Sequence, residues 1–256
     1  MVEAVCPRSA VQAARQCPLQ LLESADGGRS WTPAPAQPPA SGARIGVGEP
    51  AAGQTWLVRT GASAGYVLGA PGLNPRGRPD KASLWHTANG GRSWSKRSLR
   101  CQIDAMSVVV SAAPDGTLMA VCAGQPAAGS QAKSVARSTD GGRTWTVHVP
   151  CPANAPACSG APLDFAYLGG IDAVTGAVAF LSGGRSSLMV TYDGGTRWRI
   201  VRPLIGDTSA WSGPVTFFNR SDGVLIAESG NTNEMPAIYH TTDGGMHWSK
   251  VMPTIR

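Results

Sequence analysis

One eight-residue phrase occurs five times along this 256-residue chain: "SADGGRSW" (24–31), "TANGGRSW" (87–94), "STDGGRTW" (138–145), "TYDGGTRW" (191–198) and "TTDGGMHW" (241–248). Its closing tryptophans, Trp31, Trp94, Trp145, Trp198 and Trp248, lie 63, 51, 53 and 50 residues apart. Whatever this chain folds into must offer the same local setting five times. The phrase has its own chemistry. Asp26, Asn89, Asp140, Asp193 and Asp243 can each turn a side-chain oxygen back onto nearby backbone amides, and the paired glycines accept the positive φ of a tight hairpin. The Ser or Thr two residues earlier adds a hydroxyl, and the Trp opens the next strand with a broad packing surface.

The last repeat shows the unit most clearly. "VTFFN" (215–219), "VLIAES" (224–229), "AIYHTT" (237–242) and "HWSKVM" (247–252) read as four strands, with "RSDG" as the first turn. Matching sets are "TWLVRT", "GYVLGA", "ASLWHT", "SWSKRS" in the second repeat and "MSVVVS", "TLMAVCA", "SVARST", "TWTVHV" in the third; "LDFAYL", "AVAFLS", "SLMVTY", "RWRIVR" complete the fourth. Each unit is a four-stranded meander with the phrase between its third and fourth strands, and a period near 50 residues is that of a propeller blade. The expectation is an all-β protein: a β-propeller of four-stranded antiparallel blades, about five of them visible. A single domain over 1–256 is expected, with blade repeats at about 1–33, 55–98, 103–149, 163–202 and 215–252. The first repeat has no room for an inner strand, because "VEAVC" (2–6) aligns with "LMAVC" (118–122), a second strand; five blades are therefore a minimum.

Composition agrees, since Gly 32, Pro 20 and only 15% charged residues favour short strands and turns. The net charge of +6 comes from scattered Lys and Arg with no basic run, which argues against nucleic acid as a partner. No apolar stretch reaches the roughly 18 residues of a membrane span, and "MVEAVCPRSAVQAARQ" lacks the pattern of a signal peptide. The six cysteines show no CxxC spacing, so disulfides are the better reading and six buried reduced thiols in a cytosolic protein the alternative. Disulfides imply an extracytoplasmic protein whose secretion signal or anchor lies outside this sequence. No cofactor is expected, and the four histidines form no metal pattern; His86 and His240 share one repeat position, which points to a structural role.

The phrase resembles the Asp-box, or BNR, repeat, Ser/Thr-x-Asp-x-Gly-x-Thr/Ser-Trp. Ser138, Asp140, Gly142, Thr144 and Trp145 match it fully, as do Ser24, Asp26, Gly28, Ser30 and Trp31. Asn89 replaces the Asp of the second copy, and Arg197 and His247 stand where Thr or Ser is usual, so the last two turns lose a hydroxyl. The resemblance implies a propeller of the sialidase-like superfamily, which includes sialidases, xyloglucanases, sortilin-type receptors and photosystem II stability/assembly factors. The DGG-x-x-W form is most similar to the last group and its bacterial relatives.

In such a fold the repeated turns and the first hairpins share one face, and the opposite face carries the longer connections Thr32–Gln54, Gly69–Lys81, Ala123–Lys133, Pro150–Pro162, Val201–Pro214 and Glu228–Pro236. Loops on a rigid scaffold are where binding resides. They offer Arg44, Arg76, Arg78, Lys81, Arg202, Trp211, Asn231, Asn233 and Glu234 for a protein or glycan partner. Trp211 equally suits a plug between blades, and Arg76 and Arg78 a solvated loop. The sialidase machinery is missing, because Arg59 is the sole arginine on the proposed inner strands and no Arg-Ile-Pro segment occurs. A glycoside hydrolase with paired carboxylates is the alternative, with Asp104, Asp164 and Glu228 near strand ends on the loop-rich face.

Peptide mapping without reduction is expected to recover three local pairs, Cys6–Cys17, Cys101–Cys122 and Cys151–Cys158. Free thiols at all six positions would overturn the extracytoplasmic assignment.

Overall fold

The computed structural model describes residues 2–4, 19–38, 55–69, 81–127, 129–148, 163, 167–183, 187–201, 211–228 and 237–251. Among them there is no helix, and the strands form antiparallel sheets in chain order. The first sheet has three strands, β1 (Val2–Ala4), β2 (Leu19–Glu23) and β3 (Thr32–Pro33). The second has β4 (Thr55–Arg59), β5 (Gly65–Gly69), β6 (Ser83–Thr87) and β7 (Ser95–Arg97); the third has β8 (Ser107–Ala112), β9 (Leu118–Ala127), β10 (Ser130–Ser138) and β11 (Thr146–His148). The fourth comprises β12 (Leu168–Ala173), β13 (Ala179–Gly183), β14 (Ser187–Thr191) and β15 (Arg199–Val201), and the fifth β16 (Trp211–Phe217), β17 (Gly223–Glu228), β18 (Ala237–Thr241) and β19 (Ser249–Val251). Successive sheets meet at their leading strands, β1 on β4, β4 on β8, β8 on β12 and β12 on β16. This is a propeller of about five blades.

Several local expectations are corrected. The fourth inner strand runs over Leu168–Ala173, with Leu163 and Tyr167 of the expected "LDFAYL" (163–168) outside it; residues 164–166 lie outside the described residues. Leu163 is drawn into the core between the third and fourth sheets, its carbonyl accepting from Lys133 Nζ at 2.9 Å. The strand instead shifts register between Leu168 and Ile171, across Gly169 and Gly170. A Cβ at Gly169 would come within 2.8 Å of the Ser182 carbonyl. The supposed loop Ala123–Lys133 is a hairpin, because β9 and β10 continue to Ala127 and Ser130 around Gly129 at φ 83°. Trp211, expected in a loop, opens β16 opposite Glu228. The fourth strands begin one residue after the tryptophan rather than on it.

Period-two alternation makes each inner sheet serve two cores. On β9, Met119 and Val121 face the fourth sheet with Ile171, Leu181 and Trp198, whereas Leu118, Ala120 and Cys122 face the second with Leu68 and Leu84. On β13, Ala179 and Leu181 look back to the third sheet, and Phe180 forward onto Phe217, stacked with ring centroids 3.5 Å apart. Polar clamps cross the same junctions near the axis. Ser111 Oγ accepts from the Ala173 amide at 2.9 Å, and Asp172, at the matching position one sheet on, accepts from the Phe217 amide at 2.5 Å. Burial pushes the Asp172 carboxyl above the ordinary range, against the pull of the bonds from Phe217 and Ser111.

The repeated turns all lie on one face. Gly90, Gly194 and Gly244 donate their amides to the carbonyls of Ser63, Ala177 and Ser221 in the first hairpins of their own sheets, at 2.7–2.9 Å. Both glycines of every copy have positive φ, between 68° and 91°. In each copy the Ser or Thr hydroxyl donates to the acidic or amide side chain and accepts from the second glycine's amide, as in Ser138 Oγ to Asp140 Oδ1 and Gly142 N to Ser138 Oγ, both 2.8 Å. In the last two turns an arginine and a histidine side chain take the place of the hydroxyl that precedes the tryptophan elsewhere. His247 Nδ1 lies 2.5 Å from Asp243 Oδ2, and Arg197 Nε 3.8 Å from Asp193 Oδ2. Four of the five indoles donate to the carbonyl of the second glycine; Trp94 donates across to Ala36.

The five rings are not equally buried: Trp198 is 2% exposed, Trp31 41%, and the rest lie between. Trp198→Ala is therefore expected to cost roughly 3–5 kcal/mol, and Trp31→Ala much less, read by denaturant unfolding. Hydrogen bonds chiefly from Ser30 and Thr144 hold the Asp26 and Asp140 carboxyls far below the ordinary 3.8, and those from His247 hold Asp243 at about 2. A depressed folded-state pKa means stability that is present above 3.8 and lost as pH falls toward 2. The melting temperature is expected to drop across that window, and Asp140→Ala to blunt the drop.

Candidate functional site

On the loop side, residues 98–106 carry the chain from β7 to β8. Their sequence, "SLRCQIDAM", alternates apolar and polar, and the structure sorts it accordingly. Leu99, Cys101, Ile103 and Ala105 are half-buried against the core of the second and third sheets, while Arg100, Gln102 and Asp104 are exposed. Two attachments hold the segment. Cys101 is disulfide-bonded to the fully buried Cys122 of β9, with Cα atoms 5.8 Å apart, and the Met106 amide donates to the Ala123 carbonyl at 2.8 Å.

Beside this segment lies a pocket of about 620 Å³. Trp145, Val147, Ala82 and Leu99 supply apolar surface, and Lys81, Arg100 and Asp104 the charges. Asp104 is the one carboxylate among the described lining residues, whereas a hydrolase working through two needs them roughly 5–10 Å apart. Cations beside aromatic and aliphatic surface, on a segment fixed by a covalent bond, can hold a ligand in place.

A second hollow of about 410 Å³ sits at the turn end of the junction between the first and second sheets, lined in part by Glu23, Trp31, Leu57, Arg59 and Trp94. Its cation and both its indoles are already engaged: Arg59 donates to the carbonyls of Gly61 and Ala62, and the indoles donate to backbone carbonyls.

Of the residues expected to bind, Arg44, Arg76, Arg78, Arg202, Asn231, Asn233 and Glu234 lie outside the described residues, as do Asp164 and the cysteines Cys6, Cys17, Cys151 and Cys158. Trp211 and Glu228 are cross-strand partners at the loop end of the fifth sheet. His86 and His240 have different partners despite their shared position. His86 packs on Tyr66 beside Arg97, and burial lowers its pKa; His240 Nε2 lies 2.7 Å from Asp222 Oδ1. Sequence reasoning missed Arg100, Leu99, Ile103 and the pocket role of Trp145. The alternation of "SLRCQIDA" was the available signal.

No protein-family model and no curated protein matches the sequence. Solved structures match at low identity. A protein of unknown function from Dyadobacter fermentans is 15% identical, over 78% of this chain and 68% of that one, with a TM-score of 0.54. An ancestral GH74 enzyme is 13% identical, over 90% of this chain but only 28% of its own, with a TM-score of 0.52. YCF48 from Cyanidioschyzon merolae is 16% identical, over 90% of this chain and 65% of that one, with a TM-score of 0.49. The chain thus spans about two thirds, or less, of the length of these neighbours, and the first two share its fold.

Proposed function

We propose that this chain is a non-catalytic Asp-box propeller of the sialidase-like superfamily that works outside the cytoplasm and binds a protein segment or glycan on its loop side. The observation that carries the reading is the pocket at the second and third sheets: a rigid floor with Trp145 and the Cys101–Cys122 bond, flanked by Lys81 and Arg100, with Asp104 as its described carboxylate. A site so built recognises and orients; among its described lining residues Asp104 has no second carboxylate opposite it to complete the acid and base of a hydrolase. Support for the Asp-box assignment comes from the turn itself, whose hydroxyl, carboxylate, glycine and indole contacts recur through the chain. The proposal extends the binding role to Arg44, Arg76, Arg78, Arg202, Trp211, Asn231, Asn233 and Glu234, and takes the domain as 1–256.

Parallel screening on a glycan array and a peptide array tests the reading. Arg100→Glu with Lys81→Glu is expected to weaken binding to any hit about tenfold or more, since a charge-assisted hydrogen bond contributes roughly 1.5–3 kcal/mol. Melting should be unchanged because both side chains are exposed. Release of sugar from a bound polysaccharide, abolished by Asp104→Asn, would replace the binding reading with the hydrolase.

A further inference from the structure

The face of each inner sheet that looks toward the next one is covered. On the strand that leads into the repeated turn, Leu21 is 9% exposed, Leu84 and Val135 0%, and Leu188 4%; Leu68, Val121 and Ser182, the β-ladder neighbours of the last three, are at 0–1%. The fifth sheet breaks the series. Ile238 occupies the same place and is 40% exposed, with its ladder partners Ile226 at 42% and Val251 at 38%. These three side chains form one aliphatic row across β17, β18 and β19.

What covers such a row elsewhere is the next sheet's repeated turn. The second glycine of that turn sits against the row: a Cβ at Gly91 would meet Leu21 at 3.9 Å, at Gly195 Val135 at 2.7 Å, and at Gly245 Leu188 at 2.5 Å. The following tryptophan packs there too, as Trp198 and Trp248 do, and so does the residue two beyond, as Val147 does. The first sheet carries the same turn, and among the described residues no other sheet packs against that turn. Gly28 has only its own Trp31 beside it, and Trp31 is 41% exposed.

We propose that the aliphatic row of the fifth sheet receives the Gly28–Trp31 turn of a second copy of this chain, so that copies join head to tail. The junction continues the series of sheet-to-sheet junctions inside the molecule, with Ile238 in the place of Leu188 and Gly28 in that of Gly245. The occupant is a second copy because both faces stand exposed in the same molecule, so the chain's own first sheet does not cover its fifth. A glycan is a poor match for a row with no polar side chain. The contact is heterologous, so it forms closed rings or extends, according to the rotation between copies, and it leaves the loop-side pocket free.

Sedimentation velocity and light scattering on the whole 26.4 kDa chain test this. Association is expected to appear at or below about 100 μM. I226K with I238K removes the row, and W31R or P33K spoils the receiving turn; each is expected to be monomeric where the parent associates. Circular dichroism checks the fold, with P33K, on a residue already exposed, standing in if W31R unfolds. A mixture of the two kinds of variant is expected to form a heterodimer that grows no further, because each retains one good face. A parent chain that stays monomeric, variants that still associate, or a mixture that stays monomeric would each overturn the proposal.

Discussion

The architecture hangs on the close approach of one sheet's turn to the side chains of the sheet before it. At Gly195 and Gly245 the gap to Val135 and Leu188 is smaller than a methyl group requires, and the φ values of 91° and 88° exclude an ordinary L-residue on conformational grounds as well. One glycine thus meets two demands, a hairpin and a sheet junction. The preceding Ser or Thr and Asp hold the turn in the shape that presents it, using hydrogen bonds confined to eight residues. The Trp fills the volume alongside, and where the ring is deepest, at Trp198, it joins the largest mixed cluster of the third and fourth sheets.

This approach also explains why the junctions tolerate varied chemistry elsewhere. Between the second and third sheets the aliphatic contact gives way to Arg97, whose stem lies against Gly142 and whose Nε donates to the Gly141 carbonyl at 3.1 Å. Between the third and fourth, Arg137 donates to the Gly176 carbonyl and Asp115 accepts from its amide. Near the axis, Ser111 and Asp172 take up amides of the following inner strand. Each clamp satisfies a polar group that the packing would otherwise strand, and each differs because only the turn, not its neighbours, is repeated.

Function sits where the repeat stops constraining the chain. The segment 98–106 belongs to no sheet, yet its alternation and the bond to Cys122 make it as fixed as a strand, and the pocket beside it depends on that rigidity. The fifth sheet, in contrast, repeats the unit faithfully and is left with a covered face on one side and a bare one on the other.

The five turns, their glycines, the four-strand rhythm and hence the propeller were legible in the sequence, because every interaction that builds the turn joins residues within one short phrase. Even the substitutions at Arg197 and His247 could be seen there, though not that each would return to the carboxylate of its own turn, Asp193 and Asp243. Other features were decided by the partner sheet. "LDFAYL" has the apolar content of a strand, but Leu163 is buried in the core of the third and fourth sheets and the ladder runs from Leu168 through the Gly169–Gly170 bulge. Trp198 and Trp31 close the same phrase, and Trp198 is buried because the third sheet packs against it, a contact that Trp31 does not make with any described sheet. The pocket likewise needs Trp145, Lys81 and Arg100 brought together from three separate segments. Burial is a property of neighbours in space, and no local pattern encodes which neighbour arrives.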